Sequence, residues 1–126
     1  IEKTPEALAL LDKNRKAFEV KNITIVEGEA PKSLENLPTP DRIFIGGSGD
    51  KTEEVLINAS KSLAQGGIIV LNSITLDTLY TAKNFFGGLS WDVEIVHVNI
   101  AVGKKAGGKT LMLARNPVYI LTAVKV

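Results

Sequence analysis

Cysteine is missing from all 126 residues, and histidine occurs once, as His97. These absences exclude a disulfide framework and thiolate chemistry, and they leave too few ligands for a structural zinc site. Aromatic residues make up only 6% of the chain, so Trp91, Tyr80, Phe85 and Phe86 read as core or interface residues rather than a base-stacking platform. Neither sign of charge dominates. Fifteen basic against fourteen acidic residues give a net charge of +1, which predicts no bulk attraction to nucleic acid or to a membrane surface. No apolar run approaches the roughly 18 residues that a membrane-spanning helix needs. Ile1-Glu2-Lys3-Thr4-Pro5 also lacks the cationic and apolar regions of a signal peptide, so a cytoplasmic location is the expectation.

What is present is ordinary for a globular chain: 44% hydrophobic and 23% charged residues. At this length one domain is expected, burying roughly two thirds of its unfolded surface. Thr4-Pro5 predicts a helix start, with Thr4 at N-cap and Pro5 at N1. Leu8, Leu11 and Phe18 then fall at helical spacing and predict an amphipathic helix over residues 5–19. A strand is predicted from Ile23 to Glu27, ended by Gly28-Glu29-Ala30-Pro31. Pro40-Asp41 opens a short apolar strand, Ile43 to Ile45, whose continuous run suits a strand covered on both faces. A helix over 51–65 follows, stopped by Gly66-Gly67, then a buried strand from Ile68 to Asn72 and a helix over about 76–86. Trp91 to Val102 and Thr110 to Val124 read as two long strands of an antiparallel hairpin. Alternation of this kind predicts an α/β fold, mostly parallel, closed by a C-terminal hairpin.

Ligands of open α/β sheets sit outside the carboxyl ends of the strands. Three strand ends therefore attract interest. Gly46-Gly47-Ser48 follows the Ile43–Ile45 strand, and its glycines let a ligand approach the backbone. Glu2, just before the first helix, could accept hydrogen bonds from ribose hydroxyls or be an ordinary first-turn carboxylate. Glu29 could accept from an adenine amino group. Asn72, Ser73 and Thr75 end the next strand and could orient a substrate or satisfy the turn. His97 reads as packed or solvated, and no Ser-His-Asp arrangement is suggested.

Gly103-Lys104-Lys105-Ala106-Gly107-Gly108-Lys109-Thr110 matches a phosphate-loop pattern letter for letter. That pattern works only where it opens a helix. Pro117 would break any helix starting here, so the segment reads as a hairpin loop. It is either a flexible loop with solvated lysines or a basic flap over an anionic substrate.

The segments Ile1 to Ala7, Val26 to Pro31, Pro40 to Gly49, Gly66 to Asn72 and Ala114 to Val118 resemble the class I S-adenosylmethionine-dependent methyltransferases. More narrowly, Phe44-Ile45-Gly46-Gly47-Ser48-Gly49 and Ala114-Arg115-Asn116-Pro117-Val118 resemble the precorrin-6Y methyltransferase family of cobalamin biosynthesis, which methylates carbon 15 and decarboxylates. The resemblance implies a Rossmann-like fold and S-adenosylmethionine as cofactor, bound by Glu2, Gly28, Glu29, Ala30, Gly46, Gly47 and Ser48. It implies a carboxylate-rich tetrapyrrole substrate, contacted by Asn72, Thr75, Lys104, Lys105, Lys109, Thr110 and Arg115. Glu29 stands where the family usually has aspartate. The family's first strand and glycine-rich loop would lie upstream of Ile1, so residues 1–126 are expected to be the C-terminal portion of one methyltransferase domain, prone to self-association through its exposed sheet edge. Two other readings stay open: another class I methyltransferase, acting on nucleic acid or a small molecule, or a non-catalytic assembly piece.

Overall fold

Thr4-Pro5 does start a helix, Pro5–Ala17 (α1), but the threonine side chain does not cap it. The computed structural model describes residues 1–47 and 49–126, in two units, Ile1–Pro38 and Thr39–Val126. In the first unit the Thr4 carbonyl accepts the first helical bond from Leu8 at 2.9 Å. The amides of Lys3 and Thr4 instead donate to Glu2 Oε1, each at 2.8 Å. The helix ends at Ala17, two residues short of expectation, where Glu19 turns left-handed at φ 54°. None of the helix residues is fully buried: Ala7 and Leu8 are half-buried, and Phe18 stands 77% exposed. The strand expected from Ile23 to Glu27 is reduced to one parallel bridge, Glu2 with Glu27.

In the second unit, Arg42–Ile45 (β1) leads through a short turn of 3₁₀ helix, Gly49–Lys51, into Thr52–Ser62 (α2). Ile68–Ser73 (β2) and Leu76–Gly88 (α3) follow, and the remainder forms Asp92–Val98 (β3), Ala101–Ala106 (β4), Lys109–Ala114 (β5) and Val118–Val124 (β6). The four-stranded sheet has the order β1-β2-β6-β3 and is mixed: β1 and β2 are parallel, whereas β6 runs antiparallel to both its neighbours. Alternation along β2 buries Ile69, Leu71 and Ser73 on one face. Ile45, Leu121 and Ala123 join that face through the register. Val55, Leu56 and Ala59 of α2 and Ala82 and Phe86 of α3 complete the core.

Phe86 anchors it, fully buried and stacked on Trp91 with centroids 5.2 Å apart. Tyr80, read as a core or interface residue, is 70% exposed and so not part of this core. Lys125 closes α2 by donating to the carbonyls of Ser60 and Leu63, at 2.9 and 2.7 Å, where a cation is also favoured by the helix dipole. Expected cover on both faces of β1 is not found, because Phe44 is 65% exposed.

The C-terminal hairpin is present, but each long arm is broken once. Asn99 and Ile100 separate β3 from β4, whereas three residues, Arg115 to Pro117, separate β5 from β6. The extra residue is a bulge, and Pro117 has no amide to donate to a ladder there. β4 and β5 consequently form their own two-stranded ladder, exposed throughout. Among the described residues no helix is long and apolar enough to cross a membrane.

Candidate functional site

Within the first unit, Glu2, Gly28 and Glu29 are brought together by the single bridge. The amide of Glu2 donates to the Val26 carbonyl at 3.1 Å, and that of Gly28 to the Glu2 carbonyl at 2.9 Å. The backbone amide and hydroxyl of Thr4, then the amide of Lys3, stabilise the charged form of the Glu2 carboxylate and hold it below the usual glutamate range. Glu29 follows Gly28 and is held by Lys3, whose Nζ lies 2.6 Å from Oε1. Gly28 has φ +146°, and a Cβ there would collide with the Ser33 hydroxyl. Only glycine suits that position. Ala30 is half-buried behind it.

These two carboxylates are acceptors for hydroxyl and amino donors, the chemistry that a nucleoside presents. Nothing in the local sequence marks Lys3 as part of this arrangement. Its partner lies 26 positions away, so only the folded bridge reveals the pair.

Within the second unit, β1 and β2 are parallel with Ile45 beside Leu71, so both chains leave the sheet at the same edge. Gly46 and Gly47 are exposed there, and Ser48 lies outside the described residues. Open space surrounds Gly47 within 4 Å of where a side chain would begin, whereas a Cβ on Gly46 would come within 3.2 Å of the Phe44 ring. On the β2 side, Ser73 Oγ accepts from the Thr75 amide at 3.0 Å and donates to the Thr75 carbonyl at 2.7 Å. Thr75 caps α3 by accepting from the Thr78 amide at 3.3 Å. Ser73 and Thr75 therefore serve the turn. Asn72, pointing to the opposite face from Ser73 by strand alternation, is half-buried.

The hairpin cations are not one cluster. Pairing of Lys104 with Leu111, Lys105 with Thr110 and Ala106 with Lys109 puts Lys104 and Lys109 on one face. Lys105 and Thr110 share the other. Gly107 and Gly108 both have positive φ, +55° and +75°, the signature of a tight type I′ turn. The letter-perfect phosphate pattern thus lies on a strand-turn-strand, as its proline predicts. Arg115 marks the base of the ladder, its amide donating to the Ile100 carbonyl at 2.8 Å. His97 stacks on Tyr119 with centroids 4.4 Å apart. No group of side chains suited to a metal ion occurs among the described residues.

Comparison with known proteins adds the following. A family model described as "Precorrin methyltransferase domain" matches residues 1–125. A curated relative from Sulfurisphaera tokodaii, named "Probable cobalt-precorrin-6B C(15)-methyltransferase (decarboxylating)", is 36% identical over 99% of this chain and 65% of its own length. The crystal structure of precorrin-6y C5,15-methyltransferase from Geobacter metallireducens superposes with a TM-score of 0.88 at 42% identity, over 98% of this chain and 65% of that one. That of precorrin 8w decarboxylase from Methanobacterium thermoautotrophicum gives 0.85 at 33% identity, over 96% and 66%. The chain therefore spans about 65% of the length of the relatives it matches first.

Proposed function

Because this chain belongs to the precorrin methyltransferase domain family and has a class I methyltransferase fold, we propose that it is part of an S-adenosylmethionine-dependent enzyme that methylates carbon 15 of a precorrin and removes carbon dioxide from an acetate arm. The family match over residues 1–125 carries this reading. The parallel β1–β2 pair gives it a physical place, because ligands of such sheets gather at the carboxyl ends of the strands.

S-adenosylmethionine supplies a sulfonium methyl group for transfer. Glu2 suits the ribose hydroxyls, since its Oε1 is fixed by two amides at 2.8 Å and it stays ionised. Glu29, next to Gly28 and Ala30, suits the adenine amino group. Gly46 and Gly47 offer bare backbone, and Ser48, next in the sequence, supplies a hydroxyl by residue type. For the substrate, Asn72 stands near the end of β2 and Thr75 just beyond it, with the Thr75 hydroxyl already engaged by Thr78. Lys104, Lys105, Lys109, Thr110 and Arg115 offer cations and a hydroxyl to a carboxylate-rich macrocycle. The protein's share of catalysis is to hold the acceptor carbon in line with the sulfonium sulfur and its methyl group, so that the S–CH3 bond breaks as the new C–CH3 bond forms, and to exclude water.

The proposed setting is the cytoplasm, with a tetrapyrrole and no nucleic acid as partner. Self-association is part of the proposal. β1 and β3 are outer strands of their sheet, and Val102, Leu111, Met112 and Leu113 leave apolar surface on the hairpin. Sedimentation should find an oligomer, and a monomer would remove that part.

Calorimetric titration of the protein with S-adenosylhomocysteine tests the cofactor assignment. Saturable micromolar binding is expected, and an absence of heat at millimolar ligand would contradict it.

A further inference from the structure

Three large apolar side chains stand in the open where β2 hands over to α3. Ile74 is 62%, Leu76 67% and Tyr80 70% exposed. Ala82 and Phe86 carry the buried face of α3, whereas Leu76 and Tyr80, at i and i+4, are neighbours on an exposed one. Ile74 sits between two fixed residues. The Ser73 hydroxyl is bonded to the amide and carbonyl of Thr75, and the Thr75 hydroxyl accepts from the Thr78 amide. The turn thus spends its polar groups on itself, and its apolar side chains stand free on a support fixed by hydrogen bonds.

Scattered exposed apolar residues are normal on a protein surface. These three differ in their place. They follow the carboxyl end of β2, a strand parallel to β1, at the edge where ligands of such sheets gather. The β1 side of that edge, assigned to the cofactor, presents the bare backbone of Gly46 and Gly47. The β2 side therefore falls to the second reactant. A tetrapyrrole has apolar ring faces and keeps its carboxylates on the rim. Cations suit the rim, but the ring faces need an apolar wall. Tyr80 adds an aromatic face to stack on, with a phenol that can donate to a carboxylate.

We propose that Ile74, Leu76 and Tyr80 form the docking face for the ring system of the tetrapyrrole, and that they hold it by burial of apolar surface and not by charge. This rests on the reading of the chain as part of a precorrin methyltransferase. Contacts with ring atoms away from the reacting carbon are equally strong before and during methyl transfer. They lower the KM for the tetrapyrrole and leave kcat alone.

The test is steady-state kinetics with the precorrin, together with titration by S-adenosylhomocysteine. It uses the unmodified protein, Leu76→Ser, Tyr80→Ser, the double variant of these two and Tyr80→Phe, with Leu89→Ser at the far end of α3 as control. Every substituted residue is exposed, so folding should survive, and circular dichroism checks this. The double variant is expected to raise the KM for the precorrin about tenfold or more. Its kcat and its affinity for S-adenosylhomocysteine should stay within about twofold of the unmodified protein. The dependence of KM on ionic strength should not change, because no charge has been removed. Tyr80→Phe should keep most of the unmodified affinity and Leu89→Ser all of it. An unchanged KM in the double variant overturns the inference and leaves the methyltransferase reading standing. If that variant also sediments as a smaller species, the patch belongs to a second copy of the chain. A rise in KM matched by an equal loss of S-adenosylhomocysteine affinity overturns the inference as well, since it reports a distorted edge. If the unmodified protein turns over no precorrin, the substrate reading falls and this inference falls with it.

Discussion

Ile45 pairs with Leu71 in a parallel ladder, so both chains run to the same sheet edge, with Gly46-Gly47 following Ile45 and Asn72-Ser73 following Leu71. The pairing makes a crevice edge out of two segments more than twenty residues apart in sequence. It also separates the roles of their polar groups. Ser73 and Thr75 spend their hydroxyls on each other and on the start of α3, while the glycine side stays bare.

Gly28 should not tolerate a side chain. Gly28→Ala is expected to cost about 1–3 kcal/mol for the backbone conformation, with a further loss from collision with Ser33. Adding Ser33→Ala should recover only the collision part. Urea denaturation of the single and double variants separates the two.

Phe86 and Phe18 are predicted to differ widely. Phe86 is fully buried against Trp91 and Phe85, so Phe86→Ala should lose about 3–5 kcal/mol. Phe18 is 77% exposed, and Phe18→Ala should stay within about 0.5 kcal/mol of the unmodified protein. Chemical denaturation of both variants measures the contrast.

Acid should loosen the start of α1. The Thr4 amide and hydroxyl hold Glu2 below its ordinary range, and hydrogen bonds from Lys16 and then Arg15 do the same for Asp12. A depressed folded-state pKa means that the stabilisation is complete above the unfolded value, about 4.3 for glutamate and 3.9 for aspartate, and is lost as pH falls through the folded value. Amide exchange or helix signal in α1 followed below pH 5 should show this loss, and Glu2→Gln should remove its share.

The two faces of the hairpin ladder should act differently on an anionic substrate. Lys104→Gln and Lys109→Gln, on one face, should change the KM for the tetrapyrrole in the same way and weaken its salt dependence. Lys105→Gln, on the other face, should behave unlike them. Steady-state kinetics at two ionic strengths reads the difference.

Much of the fold is legible in the sequence because its signals are local. Thr4-Pro5, Gly66-Gly67 and the spacing of Val55, Leu56 and Ala59 mark helix limits and faces within a few residues. The glycine turn after Ile45 is equally local. Features that depend on distant partners are not legible. Ile23 to Glu27 has strand composition, but a ladder needs a second extended segment, and one bridge is what Glu2 offers. The break in each hairpin arm comes from one extra residue opposite Asn99 and Ile100, which composition does not reveal. Cover over Phe44 was expected from the continuous apolar run Ile43 to Ile45, yet its exposure depends on what packs above it. The Lys3–Glu29 pair is invisible for the same reason.

The central claim is the coupled methylation and decarboxylation of a precorrin. It is tested most directly by incubating the protein with S-adenosylmethionine and the precorrin substrate and weighing the product by mass spectrometry. The account predicts a product that has gained one methyl group and lost one carbon dioxide, with S-adenosylhomocysteine released in equal amount. An unchanged tetrapyrrole in the presence of bound cofactor would contradict it.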